Sequence, residues 1–174
     1  MSFFEIRPKD GWLRLNTWKE GLLSRMGHDL LIEVRDFVIQ VDVQDEQTWN
    51  VQATIRKNSL YVMEPPSLSA KDRNEIHNNI INHLPSDMKF EGVGTTKPND
   101  RMELRGTISL GRARTPVSFL FDLHHTAASG TVELSHRALQ LKPYRAPLGL
   151  IRLQDRVKLS FSFELPSEVD GQET

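Results

Sequence analysis

The sequence predicts an all-β fold: a closed antiparallel barrel of about eight strands with one inserted amphipathic α-helix. Three observations carry that prediction. Period-two alternation of apolar and polar residues recurs along most of the chain. One stretch alone repeats at helical spacing. The strand runs follow one another in meander order with no linker and no internal repeat, and closure spares such a sheet its exposed edges. The clearest alternation is Met102–Leu123. Met102, Leu104, Ile108 and Leu110 share one parity, with Gly106 in the gap. After a polar elbow at 111–116, Val117, Phe119, Phe121 and Leu123 share one parity of a second run. This is a half-buried hairpin, with Pro116 placed just before its second strand.

Taken in order, Trp12–Leu15 is a short strand, with Leu13 and Leu15 on one face. Trp18–Met26 is ambiguous between a helical turn and a loop bracketed by Gly21 and Gly27. Leu30–Val43 is a longer run whose apolar parity switches between Val34 and Phe37, which demands a bulge or turn at Arg35–Asp36. Strands follow at Trp49–Ile55 and Ser59–Met63. In Ser69–Leu84, Ile76, Ile80, Ile81 and Leu84 form one helical stripe, Ser69 caps it, Asp72 suits the first turn and Pro85 stops it. Strands resume at Met88–Val93. Asn99–Asp100 marks a turn, Gly130–Leu141 a further strand, and Lys142–Leu153 an irregular loop. Gln154–Leu165 is the last strand, so residues 1–165 read as one domain and 166–174 as a flexible polar tail.

Net charge is -1 with the signs interspersed, which gives nucleic acid and anionic membranes nothing to hold. There is no cysteine, hence neither a disulfide framework nor thiolate chemistry. The N-terminus lacks the apolar run of a signal peptide, and no stretch is long enough for an integral membrane segment, so a cytoplasmic protein is expected.

Candidate sites are few. His28 and Asp29 lie next to each other at the start of a strand and suit either a metal or base site or a tied-down loop. His77 and His83 lie six apart on different helical faces and are expected in solvent, and His124–His125 should point to opposite faces of a strand. His136 continues the inward parity of Leu134, either as a satisfied core histidine or as a polar group inside a barrel, where it is a head-group candidate. No nucleophile elbow, phosphate-binding loop or dinucleotide fingerprint exists, so no enzyme and no cofactor is expected. Arg112 and Arg114 in the elbow, and Arg137, Lys142, Arg145 and Arg152 in the late loop, are either a solvated surface or a ring for an anionic head group. The largest feature is the inward apolar set Leu13, Leu104, Ile108, Val117, Phe119, Phe121, Val132, Leu134, Leu159, Phe161 and Phe163, which fills a core or lines a channel for a hydrocarbon tail.

Several motifs resemble the YceI-like family of lipocalin-like polyisoprenoid-binding proteins. In Glu103–Phe119 the match is carried by Gly106, Leu110, Gly111, Thr115, Pro116 and Val117. Phe90, the Gly27-His28-Asp29-Leu30 opening, Asn58–Val62 before the helix, and Asp155 and Val157 before the last strand add to it. The resemblance covers about Gly11–Leu165, while Ala138-Leu139-Gln140 replaces the family's aspartate-phenylalanine-glycine. It implies an extended antiparallel lipocalin-like barrel with a long apolar pore for a polyisoprenoid or similar amphiphilic lipid, and no catalytic residues. With the inward apolar set, the expectation is non-enzymatic binding, storage or transport of a polyisoprenoid, an isoprenoid quinone or a fatty-acyl-like lipid, with no metal. Two other readings remain open: a metal-binding or enzymatic barrel using His28, Asp29 and His136, and a solid structural or stress-associated module acting through protein partners. A homodimer fits any of the three.

Overall fold

The computed structural model describes residues 2–20, 29–142 and 152–166. It contains one antiparallel sheet of eleven strands and a single α-helix among those residues. The strands are β1 (Ser2–Ile6), β2 (Gly11–Glu20), β3 (Leu30–Val34), β4 (Phe37–Val43), β5 (Thr48–Ile55) and β6 (Leu60–Glu64). After helix α1 (Ala70–His83) come β7 (Met88–Lys97), β8 (Arg101–Leu110), β9 (Ala113–His124), β10 (Ala127–Ser135) and β11 (Arg152–Glu164).

Eleven strands are eight passes of the chain. β1 and β2, β3 and β4, and β5 and β6 are each one pass broken by a short irregularity, and the other five strands are one pass each. The break at Arg35–Asp36 is the bend that the parity switch demands. There the Arg35 N–H donates to Ser59 O at 3.0 Å and the Arg56 N–H donates to Asp36 O at 3.1 Å, so both halves of the long hairpin stay stitched. Counted by passes, the ladders return on themselves. β2 pairs with β11 on one side and β3 on the other, while β1 continues its pass beside β4. The sheet therefore curls round as a barrel does, and among the described strands its free flanks are those of β1 and β6.

Helix α1 covers the free flank of β6. The Arg73 guanidinium donates to Val62 O at 2.9 Å, and His77 Nδ1 lies 2.8 Å from Leu60 O. A carbonyl only accepts, so His77 Nδ1 carries the hydrogen. Four helical residues rise about 6 Å and two strand residues about 6.6 Å, so the spacings match and two edge carbonyls are met by side chains. His77 is thus half-buried and engaged, not in solvent as its helical position alone predicts. Ser69 Oγ caps the helix by accepting the Asp72 N–H at 3.0 Å. Ile76, Ile80 and Leu84 turn towards the core.

Several boundaries differ from the sequence expectation. The β8–β9 elbow is only Gly111 and Arg112, because Leu110 pairs with Ala113. Pro116 sits inside β9, opposite Thr107. It is tolerated because β10 pairs with β9 only through Asp122–His124, so no ladder on that flank needs its missing N–H. β10 begins at Ala127 and stops at Ser135 instead of running to Leu141. Residues 136–140 form a turn held by Asp155, which accepts the Ser135 hydroxyl at 2.6 Å and the Arg137 N–H at 3.0 Å. His124 and His125 sit at the β9–β10 turn with ring centroids 4.4 Å apart, not on opposite faces. β2 extends from Gly11 to Glu20, well past Leu15.

Candidate functional site

The barrel interior is apolar because each strand delivers one parity inward. Its core includes Leu13, Ile32, Val34, Phe37, Leu104 and Phe163. Phe161 stands among neighbouring rings, with centroids 5.7 Å from Phe121, 6.4 Å from Phe119 and 5.4 Å from Phe163. Such edge and offset contacts set the end of the interior opposite the helix. Gly92 and Gly106 face each other across β7 and β8. A Cβ on Gly106 would lie 2.2 Å from Glu91 O and 2.6 Å from the tip of the Phe90 ring, so Phe90 folds over both glycines. The gap in the inward stripe at Gly106 is the space this ring occupies.

The interior is not filled. An inner cavity of about 150 Å³ lies between the strands. An outer cavity of about 430 Å³, within the usual range of ligand pockets, lies under α1. Ile55, Met88, Leu134 and Leu159 line both. The strands show that the two chambers are stacked. Along β11, Phe163 and Phe161 line the inner chamber, Leu159 lines both, and Val157 and Leu153 line the outer one. β10 and the first residue after it repeat the order with Val132, Leu134 and His136. The two form an apolar passage running along the barrel, roofed at its wide end by Leu68, Ile76, Ile80 and Leu84. All eleven residues of the inward set face the inner chamber.

The polar rim differs from the expected ring of arginines. Arg112, Arg114 and Arg137 are exposed and line neither chamber. Arg114 donates to Ser109 Oγ at 2.7 Å, and Arg145 and His28 lie outside the described residues. Lys19 and Lys57 line the outer chamber instead, together with the exposed helix residues Asp72, Glu75, Asn79 and His83. The Lys57 ammonium donates to Leu84 O at 3.2 Å, at the C-terminal end of the helix. Sequence reasoning found the apolar stripe of α1 but missed this rim, although Asp72, Glu75, Asn79 and His83 recur every three or four residues beside that stripe.

Two wall groups are polar and deeply buried. Thr17 is 7% exposed, and its hydroxyl has no hydrogen-bond partner. His136 is 8% exposed, with Nδ1 2.9 Å from Asp155 O and 3.2 Å from Gln154 O. Burial pushes the His136 pKa below the ordinary imidazole value, outweighing the carbonyls that favour its charged form. Asp155 is held low by the Ser135 hydroxyl and then by the Arg137 N–H. Asp29 is tied down by accepting the Lys19 N–H at 2.8 Å. No group of three or more metal-ligating side chains occurs among the described residues.

No family model matches the sequence, and no curated protein matches it. The crystal structure of BcnA from Burkholderia cenocepacia, a YceI-like lipocalin-fold protein, superposes on the chain with a TM-score of 0.61. The match covers 86% of this chain and 94% of that one, at 10% sequence identity. The fold is YceI-like. At that identity the likeness speaks for the YceI-like architecture alone: a curled antiparallel sheet with one helix. No helix among the described residues is long and apolar enough to cross a membrane.

Proposed function

We propose that this chain belongs to the YceI-like family and is a non-enzymatic binder of an amphiphilic lipid. Its polyisoprenoid, quinone-linked or fatty-acyl tail lies along the stacked chambers. The observation that carries the reading is the apolar passage itself, which the inward residues of β2, β5, β10 and β11 line in the same axial order. Burying a tail there gains about 0.8 kcal/mol per methylene, so ten methylenes give about 8 kcal/mol before the cost of association. The rim groups of α1, with Lys19 and Lys57, lie where a head group meets water. A solid structural module needs a filled barrel, and two cavities speak against it.

Organic extraction and native mass spectrometry of protein purified without detergent test the proposal. A lipid of defined mass bound one to one is the expected result. Protein that emerges empty, and that then takes up no alkyl probe after exposure to lipid extract, overturns it.

A further inference from the structure

The wall of the outer chamber carries a hydrogen-bond acceptor with nothing to accept. His136 Nδ1 lies against two main-chain carbonyls, Asp155 O at 2.9 Å and Gln154 O at 3.2 Å. Carbonyls cannot donate, so Nδ1 carries the hydrogen and fixes the tautomer. In the neutral ring Nε2 is then a bare lone pair. Nε2 has no partner among the described residues and keeps accessible surface, in a residue that is otherwise more than nine-tenths buried and lines the chamber. An accessible acceptor without a protein partner, set in a wall this apolar, is a place for a ligand group. Thr17, whose hydroxyl is also without a partner, lies on the same chamber wall in the row Thr17–Val157–Leu134. The inner chamber, Lys89 aside, is lined by apolar residues. The passage is therefore polarised, with its unmet polar groups at the helix end and its phenylalanines at the other.

Resting on the lipid-binding reading above, we propose that His136 Nε2 anchors the ligand by accepting a hydrogen bond from an uncharged hydroxyl head, so that the cavity takes a long-chain alcohol with its tail towards Phe161. Ethers, quinone carbonyls and carboxylates present only lone pairs to Nε2 and lack this bond. Selectivity comes from the missing donor, because a ligand head without a hydroxyl displaces water from Nε2 and gives the nitrogen no bond in return.

The test uses delipidated full-length protein and three probes of one chain length: 1-decanol, 1-methoxydecane and decanoate, titrated calorimetrically near pH 8. The alcohol should bind about tenfold more tightly than the ether and more tightly than the carboxylate. The ¹⁵N resonance of His136 Nε2 should shift with decanol and stay in place with the ether. His136→Leu should bring alcohol and ether within about twofold. Should that variant fail to fold, the wild-type affinity ratio and the ¹⁵N shift decide the question on their own. Equal binding of alcohol and ether with an unmoved Nε2 resonance overturns the anchor and leaves tail binding standing. Tighter binding of decanoate overturns it as well. If none of the three binds, tail binding falls along with the anchor.

Discussion

Leu159 stands where the two chambers meet, and Leu159→Phe should divide them. Leu159 lines both chambers, so the larger ring has open space to enter. The inner chamber of about 150 Å³ then closes to a tail arriving from under α1. If a methylene takes about the 30 Å³ of a liquid water, that chamber holds about five of them. At about 0.8 kcal/mol each, the closure removes about 4 kcal/mol of tail binding, roughly a thousandfold for a tail long enough to use it. The assay is a calorimetric series of n-alkyl probes sharing one head group and growing one carbon at a time. In the wild type, affinity should rise about fourfold per carbon until both chambers are full. In Leu159→Phe the same slope should hold for short probes and stop about five carbons earlier. Thermal melting of the empty variant checks that the added volume has cost no more than about 1–3 kcal/mol. Identical plateaus in the two proteins would refute the stacked-chamber reasoning, and so would a wild-type series without any slope.

Other perturbations follow from single contacts. Thr17→Val removes a buried hydroxyl that has no partner and keeps its shape, so the empty protein should gain about 1 kcal/mol in urea unfolding; a loss of that size would mean the hydroxyl is paired. Gly106→Ala should cost more than 2 kcal/mol, since its Cβ would meet the Glu91 carbonyl at 2.2 Å, and a melting temperature unchanged from wild type would contradict the tight β7–β8 approach. Replacing Arg73 and His77 together with alanine leaves the Val62 and Leu60 carbonyls to water, so amide exchange in β6 and ligand release should both accelerate; unchanged protection would show that α1 does not hold that edge. Acid should also destabilise the fold. His136 has a lowered pKa in the folded state, so below about pH 6.5 the unfolded chain takes a proton that the folded protein resists. Stability is therefore full above that pH and falls on acidification. Asp155, held low chiefly by the Ser135 hydroxyl, adds a further loss below about pH 4. Urea midpoints measured from pH 8 to about pH 3 should decline, and a rise between pH 7 and pH 6 would contradict the assignment.

Much of this protein can be read from residue order alone. Alternating parity fixes which residue of each strand turns inward, because successive Cβ atoms leave opposite faces of the pleat. That rule placed the eleven inward residues from Leu13 to Phe163 together, and it located the bend at Arg35–Asp36 where the parity changes. Helical spacing, with Ser69 and Pro85 at the ends, fixed α1. These are local properties, each decided by a few neighbouring residues. Tertiary structure decided the rest. Which carbonyls of β6 receive Arg73 and His77 depends on where the curled sheet leaves an unpaired flank. That the rim is built from Lys19, Lys57 and the flank of α1, and not from Arg112 and Arg114, depends on how the helix lies over the barrel mouth. The emptiness of the passage, and the bare nitrogen of His136 in its wall, are volumes and lone pairs left over after every strand has packed, and no short stretch of sequence encodes a remainder.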